Sequence, residues 1–274
     1  MTSRNSSWKS DFAAGASGPE AEESKRTTEF GNRRGPIPLL PAGKDYLWGG
    51  RRLRDDFSKD IPLTPLAETW ECSTHPDGLS LLAGDPDKTL HELLQENPWM
   101  FGTHPAKSMP EAVEKGELPV LIKFIDAASD LSVQVHPDDA YAKEHENGQL
   151  GKSEMWYVVD AAPGANLVYG FSHDMDRDRV REAAQNGTLE KHLQRVPIRK
   201  DDVFFIPAGT VHAIGGGSLI AEVQESSNLT YRLYDYHRIG KDGKERPLHL
   251  EKALQVAKLS AADEPRQPMR VLNY

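Results

Sequence analysis

From Pro119 onward the chain becomes a succession of short β-rich segments cut by turn residues. LIKFIDA, LSVQVH, EMWYVVDA, NLVYGF, DVFFIPA and SLIAEV follow one another through residues 121–223. Valine, isoleucine, phenylalanine and tyrosine dominate them, the residue types that fit a pleated, half-buried surface. Several such strands in a row predict an antiparallel sandwich or barrel. Helical pieces interrupt the pattern. Asp176–Asn186 is charged with a small apolar side, and Thr188–Arg195 follows the Asn186-Gly187 turn. A final helix is expected through His249–Leu259. The fold class is therefore mainly β with a few α-helices.

Upstream, residues 1–35 are rich in Ser, Gly, Glu, Lys and Arg and poor in large apolar residues. Such a segment cannot bury enough surface to offset its ordering entropy, so it reads as a disordered polar tail. A regulatory or partner-binding arm is the rival reading. Residues 36–86 mix short apolar runs with Gly and Pro, as in loops and short strands. In TLHELLQEN, Leu90, Leu93 and Leu94 share one helical face and Thr89 is placed to cap it. The domain plan is one folded domain over 36–260, with a helical insertion around 176–195, and a short C-terminal segment over 261–274.

The chain of 274 residues carries a net charge of −9. A general nucleic-acid binder needs a basic face for phosphate contacts, and this balance argues against one. A small anionic substrate needs only one or two local cations. One cysteine, Cys72, excludes an internal disulfide framework and a cysteine-rich zinc site. No apolar run approaches the roughly 18 residues of a membrane span, and the N-terminus lacks a signal-like apolar core. A cytoplasmic location is the expectation.

Three short motifs carry chemistry. In SVQVHPDD, Val133 and Val135 share one strand face while Ser132, Gln134 and His136 share the other. That polar face either looks into an interior cavity or is solvated. In GKSEMWYVV, Glu154 opens an apolar strand. In IPAGTVHAIGGG, a tight Pro-Gly turn precedes His212 at a strand start. Each residue alone reads as ordinary structure. Together, two histidines and a carboxylate on strands that can line one interior make a divalent-metal set. The nitrogen and oxygen donors suit zinc with an open fourth position. Gln134 is placed either to be a fourth ligand or to hold a metal-bound water.

IPAGTVH matches the PxGxxH pattern of the second cupin motif, and QVH followed by Glu154 looks like a modified first one. LIKFIDAASDLSVQVHPDDAYA, ENGQLGKSEMWYVVDA, VFFIPAGTVHAIGGG and EVQESSNLTYRLYDYHR, in that order, resemble segments of class I mannose-6-phosphate isomerases of the short bacterial type. WGGRRL near residue 50 and WECSTHPDG near residue 75 extend the match to about residues 36–258.

The resemblance implies a cupin-like antiparallel β-barrel, or jelly roll. It implies one Zn²⁺ per chain on Gln134, His136, Glu154 and His212. The substrates it implies are mannose 6-phosphate and fructose 6-phosphate, interconverted by proton transfer through an enediol-like intermediate. Its proton-transfer glutamate falls on Glu222, its arginine on Arg232 and its lysines on Lys152 and Lys123. For each of these four the alternative is a plain surface charge. Glu222 is the expected base; Arg232 with Lys123 or Lys152 is expected on the phosphate or oxyanion. Short-type members continue into further C-terminal strands, so a second copy covering the C-terminal side (a homo-oligomer), a reduced form or a weakly active fragment are all expectations. Two other functions compete. One is a non-catalytic metal-cupin that binds sugar or sugar phosphate; the other is a different cupin enzyme, such as an iron dioxygenase or an epimerase.

Overall fold

The computed structural model describes residues 35–240 and 242–267, and residues from Ile37 on form one compact unit. The polar tail lies outside the described residues. The first strands are β1 (Leu39–Leu40), β2 (Ala42–Lys44), β3 (Glu68–Cys72), β4 (Leu81–Leu82) and β5 (Asp85–Thr89). Next come β6 (Val120–Ala127), β7 (Val133–Val135), β8 (Glu154–Ala161), β9 (Asn166–Phe171) and β10 (Leu193–Pro197). The last are β11 (Val203–Ile206), β12 (His212–Ile214), β13 (Ser218–Glu225), β14 (Tyr231–Tyr234) and β15 (Arg266–Gln267). Every pairing between these strands is antiparallel.

Two large sheets position the site. One runs β15-β11-β8-β13-β6-β3-β2 and the other β10-β9-β12-β7-β14. Their inner faces share a core that includes Ile125, Trp156, Val158, Phe204 and Ile220 from the first sheet, and Leu167, Val196 and Ile214 from the second. The five-stranded sheet is buried on its other face too. There Val133, Val135, Ala213 and Leu233 pack on α6 (Arg177–Gln185), through Val180, Ala183 and Ala184. They also meet α7 (Leu250–Val256) through Ala253 and Leu254. Each fully buried valine or leucine contributes about 1.5–3 kcal/mol, so this second core pins the thin sheet from behind. The outer face of the seven-stranded sheet is covered by Leu53 and Leu66 against Leu219. Leu53 belongs to the one-turn helix α1 (Arg52–Asp55).

The helices begin where the sequence supplies caps. Thr89 and Glu92 form a reciprocal capping box on α2 (Leu90–Glu96), with Leu90, Leu93 and Leu94 buried. Two short helices, α3 (Thr103–Ser108) and α4 (Pro110–Lys115), follow in a stretch whose periodicity is too brief to read as helix. Asp138 caps α5 (Asp139–His145) by accepting from Tyr141 N–H, and Asp176 caps α6 by accepting from Arg179 N–H. The helical insertion is shorter than the 176–195 expectation. After α6 a single 3₁₀ turn, Leu189–His192, gives way to β10. Leu193 and Val196 are buried on that strand, which pairs with β9 and so takes its hydrogen bonds from the sheet. Among the described residues no helix is long and apolar enough to cross a membrane.

Candidate functional site

The side chains that carry chemistry sit in two rows on the facing inner surfaces of the sheets. In the five-stranded sheet, His212 pairs in register with Gln134, and Gln134 with Arg232, across β12, β7 and β14. In the seven-stranded sheet, Trp70, Lys123, Glu222 and Trp156 pair in turn across β3, β6, β13 and β8. Strand alternation explains both rows. Because Val133 and Val135 are driven into the helix-side core, Gln134 is turned to the inner side. Ser132 and His136, 5% and 1% exposed, are buried there as well. The polar face of SVQVHPDD is thus interior, not solvated.

His136, Glu154 and His212 converge, each offering one ligand atom within 4.8 Å of the others. His136 Nδ1 is hydrogen-bonded to Leu229 O at 2.7 Å and His212 Nδ1 to Thr210 O at 2.8 Å. With the proton held on Nδ1, each ring turns a lone pair on Nε2 inward, as metal-binding histidines do. Both Nε2 atoms and Glu154 Oε2 are buried without a hydrogen-bond partner. Three orphaned acceptors at one point are costly, and a divalent cation satisfies all three. The donor set therefore fits a metal ion. Burial and then the nearby Lys152 ammonium push the pKa of His136 down to about 3; burial also lowers that of His212. Both rings are neutral, the form that ligates. Burial alone would raise Glu154, yet the Lys152 ammonium holds it well below the usual carboxylate range.

The local chain is built for this convergence. Gly209, in the PAGT turn before His212, has φ of 84°, a left-handed value that glycine adopts without strain. A Cβ there would also come within 2.9 Å of Val256 O. Gly151 lets the segment that carries Lys152 into β8 press on the chain after His136; a Cβ would meet the Asp138–Asp139 backbone at 2.4 Å.

A second cluster of buried charge adjoins the first. Lys123 Nζ lies 3.1 Å from Glu222 Oε1 and 3.5 Å from Glu68 Oε2. Trp156 Nε1 donates to Glu222 Oε2 at 2.7 Å, and Trp70 Nε1 donates to Glu68 Oε2 at 2.8 Å. Lys152 Nζ lies 2.7 Å from Glu154 Oε1. All five ionisable side chains are 6% exposed or less. Buried charges persist only when paired, and such a density of them marks a candidate functional site. Burial, then Glu154, raises the pKa of Glu222 against the opposing Lys123. Glu222 and Glu68 outweigh burial at Lys123 and keep it charged.

A cleft of about 270 Å³ opens over both clusters. Gln134, Glu154, Lys152, Lys123, Glu222 and Arg232 all line it, so the residues singled out in sequence meet at one opening, with His136 and His212 buried beside Glu154. The sequence reading did not single out Glu68, Arg246, Asn228 or Thr230, which also line it. Glu68 lies in an ETWEC strand whose alternation was readable, but a lone strand glutamate carries no signal until Trp70 and Lys123 are placed beside it. Arg246 lies in a charged loop, GKDGKERP, that reads as surface.

The fold and site define a mainly β protein with an interior His-Glu-His set able to hold a metal ion, beside a cluster of buried, paired charges. Residues 37–161 match the family model of the catalytic domain of type I phosphomannose isomerase. The probable mannose-6-phosphate isomerase GmuF of Bacillus subtilis is 40% identical over 235 residues, 85% of this chain and 71% of that protein. The mannose-6-phosphate isomerase of Streptococcus mutans is 41% identical over 223 residues, 81% of this chain and 67% of that protein. The crystal structure of mannose 6-phosphate isomerase from Bacillus subtilis superposes with a TM-score of 0.76 at 39% identity, covering 84% of this chain and 71% of that one. The chain belongs to the type I phosphomannose isomerase family.

Proposed function

We propose that the chain is a zinc-dependent aldose–ketose isomerase that interconverts mannose 6-phosphate and fructose 6-phosphate in the cleft between the two sheets. The observation that carries this reading is the convergence of three orphaned ligand atoms, on His136, Glu154 and His212, beside Glu222 in one cleft. Family membership supports the substrate pair. The packing of the two inner faces on one core supports the jelly-roll arrangement expected of a cupin.

His136, Glu154 and His212 would hold one Zn²⁺, and Gln134 is placed at the same cleft as a fourth ligand or as a partner of a bound water. The zinc ion supplies Lewis-acid stabilisation of negative charge on the sugar oxygens. The rest falls to the chain. Isomerisation takes a proton from C2 of the aldose, or C1 of the ketose, and returns it to the neighbouring carbon. Glu222 serves as the base: its raised pKa brings it nearer working pH. Its Oε2 is tied to Trp156, which leaves Oε1, beside Lys123, on the cleft side. Lys152 and Arg232 offer positive charge to the oxygens as the enediol-like intermediate forms. Lys123 orients Glu222 and contacts the sugar, and Arg232 reaches toward the substrate's distal, anionic part.

The test is a coupled assay of mannose 6-phosphate conversion to fructose 6-phosphate, run on the purified chain as isolated, after chelation and after zinc is restored. Turnover that disappears with chelator and returns with zinc is the expected result. A folded, zinc-loaded protein with no turnover would sink the reading in favour of a sugar-phosphate binding protein.

A further inference from the structure

The isomerase reading puts the carbonyl end of the sugar beside His136, Glu154 and His212; the inference below rests on that reading and concerns the other end. Charge balance separates the two ends of the cleft. Beside the metal centre the cations are already matched, Lys123 by Glu222 and Glu68, Lys152 by Glu154. Beyond Arg232, three guanidinium groups (Arg232, Arg238 and Arg246) share the single carboxylate of Asp235.

The three arginines are not equivalent. Arg238 is turned to the protein: Nη1 donates to Asp130 O, and the guanidinium sits 5.3 Å from the Tyr236 ring centre. Arg246 donates Nε to Asp235 Oδ2 at 2.7 Å and Nη2 to Oδ1 at 2.6 Å. This two-point fork fixes the guanidinium plane. Nη1 makes no hydrogen bond with the described residues, and Arg246 lines the cleft. Arg232 lines the same cleft; its Nη1 donates to Pro247 O at 2.9 Å, and its buried Nε has no partner. Burial and the nearby Arg246 both disfavour the charge on Arg232. Two neighbouring cations with unused donors lining one cleft call for a multiply charged anion with several acceptor oxygens.

The spacing fits a sugar phosphate. His212, Gln134 and Arg232 are successive register partners, and strands lie about 4.8 Å apart, so Arg232 starts about 10 Å from His212. Six bonds separate C2 of a hexose 6-phosphate from phosphorus, about 7 Å when extended. With the sugar's reacting carbons at the metal end, its phosphate falls within side-chain reach of Arg232 and Arg246.

We propose that Arg246 is a ligand of the substrate phosphate and selects phosphorylated over free sugar, with Asp235 as the positioning residue that holds its fork toward the cleft. Asp235 opens the turn in which Tyr236 and His237 both take positive φ, 57° and 54°, and this turn brings Arg238 back onto the carboxylate, where it shares Oδ1 with Arg246.

Steady-state kinetics on the zinc-loaded full chain test the assignment. In Arg246→Ala the KM for mannose 6-phosphate should rise roughly 10- to 100-fold, the loss expected for hydrogen bonds to a charged group. The Ki of inorganic phosphate as a competitive inhibitor should weaken in parallel, while kcat stays within about threefold and zinc content is unchanged. Arg246→Lys keeps the charge without the fork and should recover only part of the loss. Asp235→Asn should shift KM and phosphate Ki in the same direction by a smaller factor. Unchanged KM and phosphate Ki in Arg246→Ala would overturn the assignment and leave the isomerase reading standing. So would a fall in kcat alone, which would put Arg246 in the proton-transfer chemistry. If the alanine variant does not fold, unchanged KM and Ki in Arg246→Lys overturn it equally. A wild-type chain without turnover would sink the isomerase reading and this assignment together.

Discussion

The indole of Trp156 donates to Oε2 of Glu222 at 2.7 Å from the adjacent strand of the same sheet. This bond ties one carboxylate oxygen and favours the ionised form against the burial that raises the pKa. Trp156→Phe keeps an aromatic ring in the core and removes the donor. The low-pH limb of kcat/KM should move to higher pH, and kcat should fall about tenfold as Glu222 loses its fixed orientation. A pH–rate profile of wild type and variant measures both; coincident limbs would mean that Glu222 does not control the profile.

Glu222→Gln removes the base and keeps the shape. Turnover should fall by about 10²–10⁴, the usual worth of a positioned acid–base group. Zinc content should stay at the wild-type level, because Glu222 is not among the convergent ligand atoms. Near-normal turnover would show that the base lies elsewhere, with Lys152 the next candidate.

Chelation should do more than stop turnover. Three buried atoms lose their partner when the ion leaves, and an ion that binds only the folded state stabilises it by mass action. The melting temperature of the zinc-loaded chain should exceed that of the chelated chain. His212→Ala should bind no zinc and show no such difference. Calorimetry with and without zinc reads both outcomes; equal melting temperatures for wild type would argue against a metal in this centre.

Acid should destabilise the metal-free chain through its buried imidazoles. The folded-state pKa of His136 is depressed from 6.5 to about 3, and that of His212 is depressed as well. Depressed groups contribute stability that is present above the unfolded value and lost as pH falls toward the folded one. His136 contributes a slope of up to about 1.4 kcal/mol per pH unit within that window, and His212 acts in the same direction. Glu154, also depressed, acts in the same direction at lower pH, while Glu222, raised, opposes it. Denaturant midpoints should therefore drop between pH 6.5 and 4, and zinc should dissociate over the same range as protons compete for Nε2. A flat profile in that window would contradict the buried, neutral state of the two rings.

Stability and chemistry should separate at the capping box. Thr89→Ala removes the side-chain acceptor for Glu92 N–H and should cost about 1 kcal/mol. It lies outside the cleft lining, so kcat and KM should be unchanged; a fall in kcat at constant folded fraction would tie α2 to the site.

Much of the fold and site was legible because strands write their faces into sequence. The alternation in SVQVH separates Val133 and Val135 from Ser132, Gln134 and His136, and VFFIPAGTVH marks a strand, a turn and a second strand in order. The Thr89 cap and the start of α6 were readable from local hydrogen-bonding chemistry. Thr188–Arg195 was misread because a short run with Leu189 and Leu193 four apart satisfies a helical period. Pairing of β10 with β9 overrode it, since the sheet satisfies the backbone groups that a helix would have used.

By itself, then, the sequence determined which residue types stand on which face of each strand, because side-chain alternation is a local property of an extended backbone. The tertiary structure alone decided which faces look inward and which rows meet. It set Glu222 against Trp156 and Lys123, and Arg246 against Asp235, across sequence separations that no local pattern records. The physical reason is that burial and pairing depend on the packing of whole sheets. A glutamate or an arginine in a sequence is a solvated charge until the core that forms around it removes the water and supplies the partner.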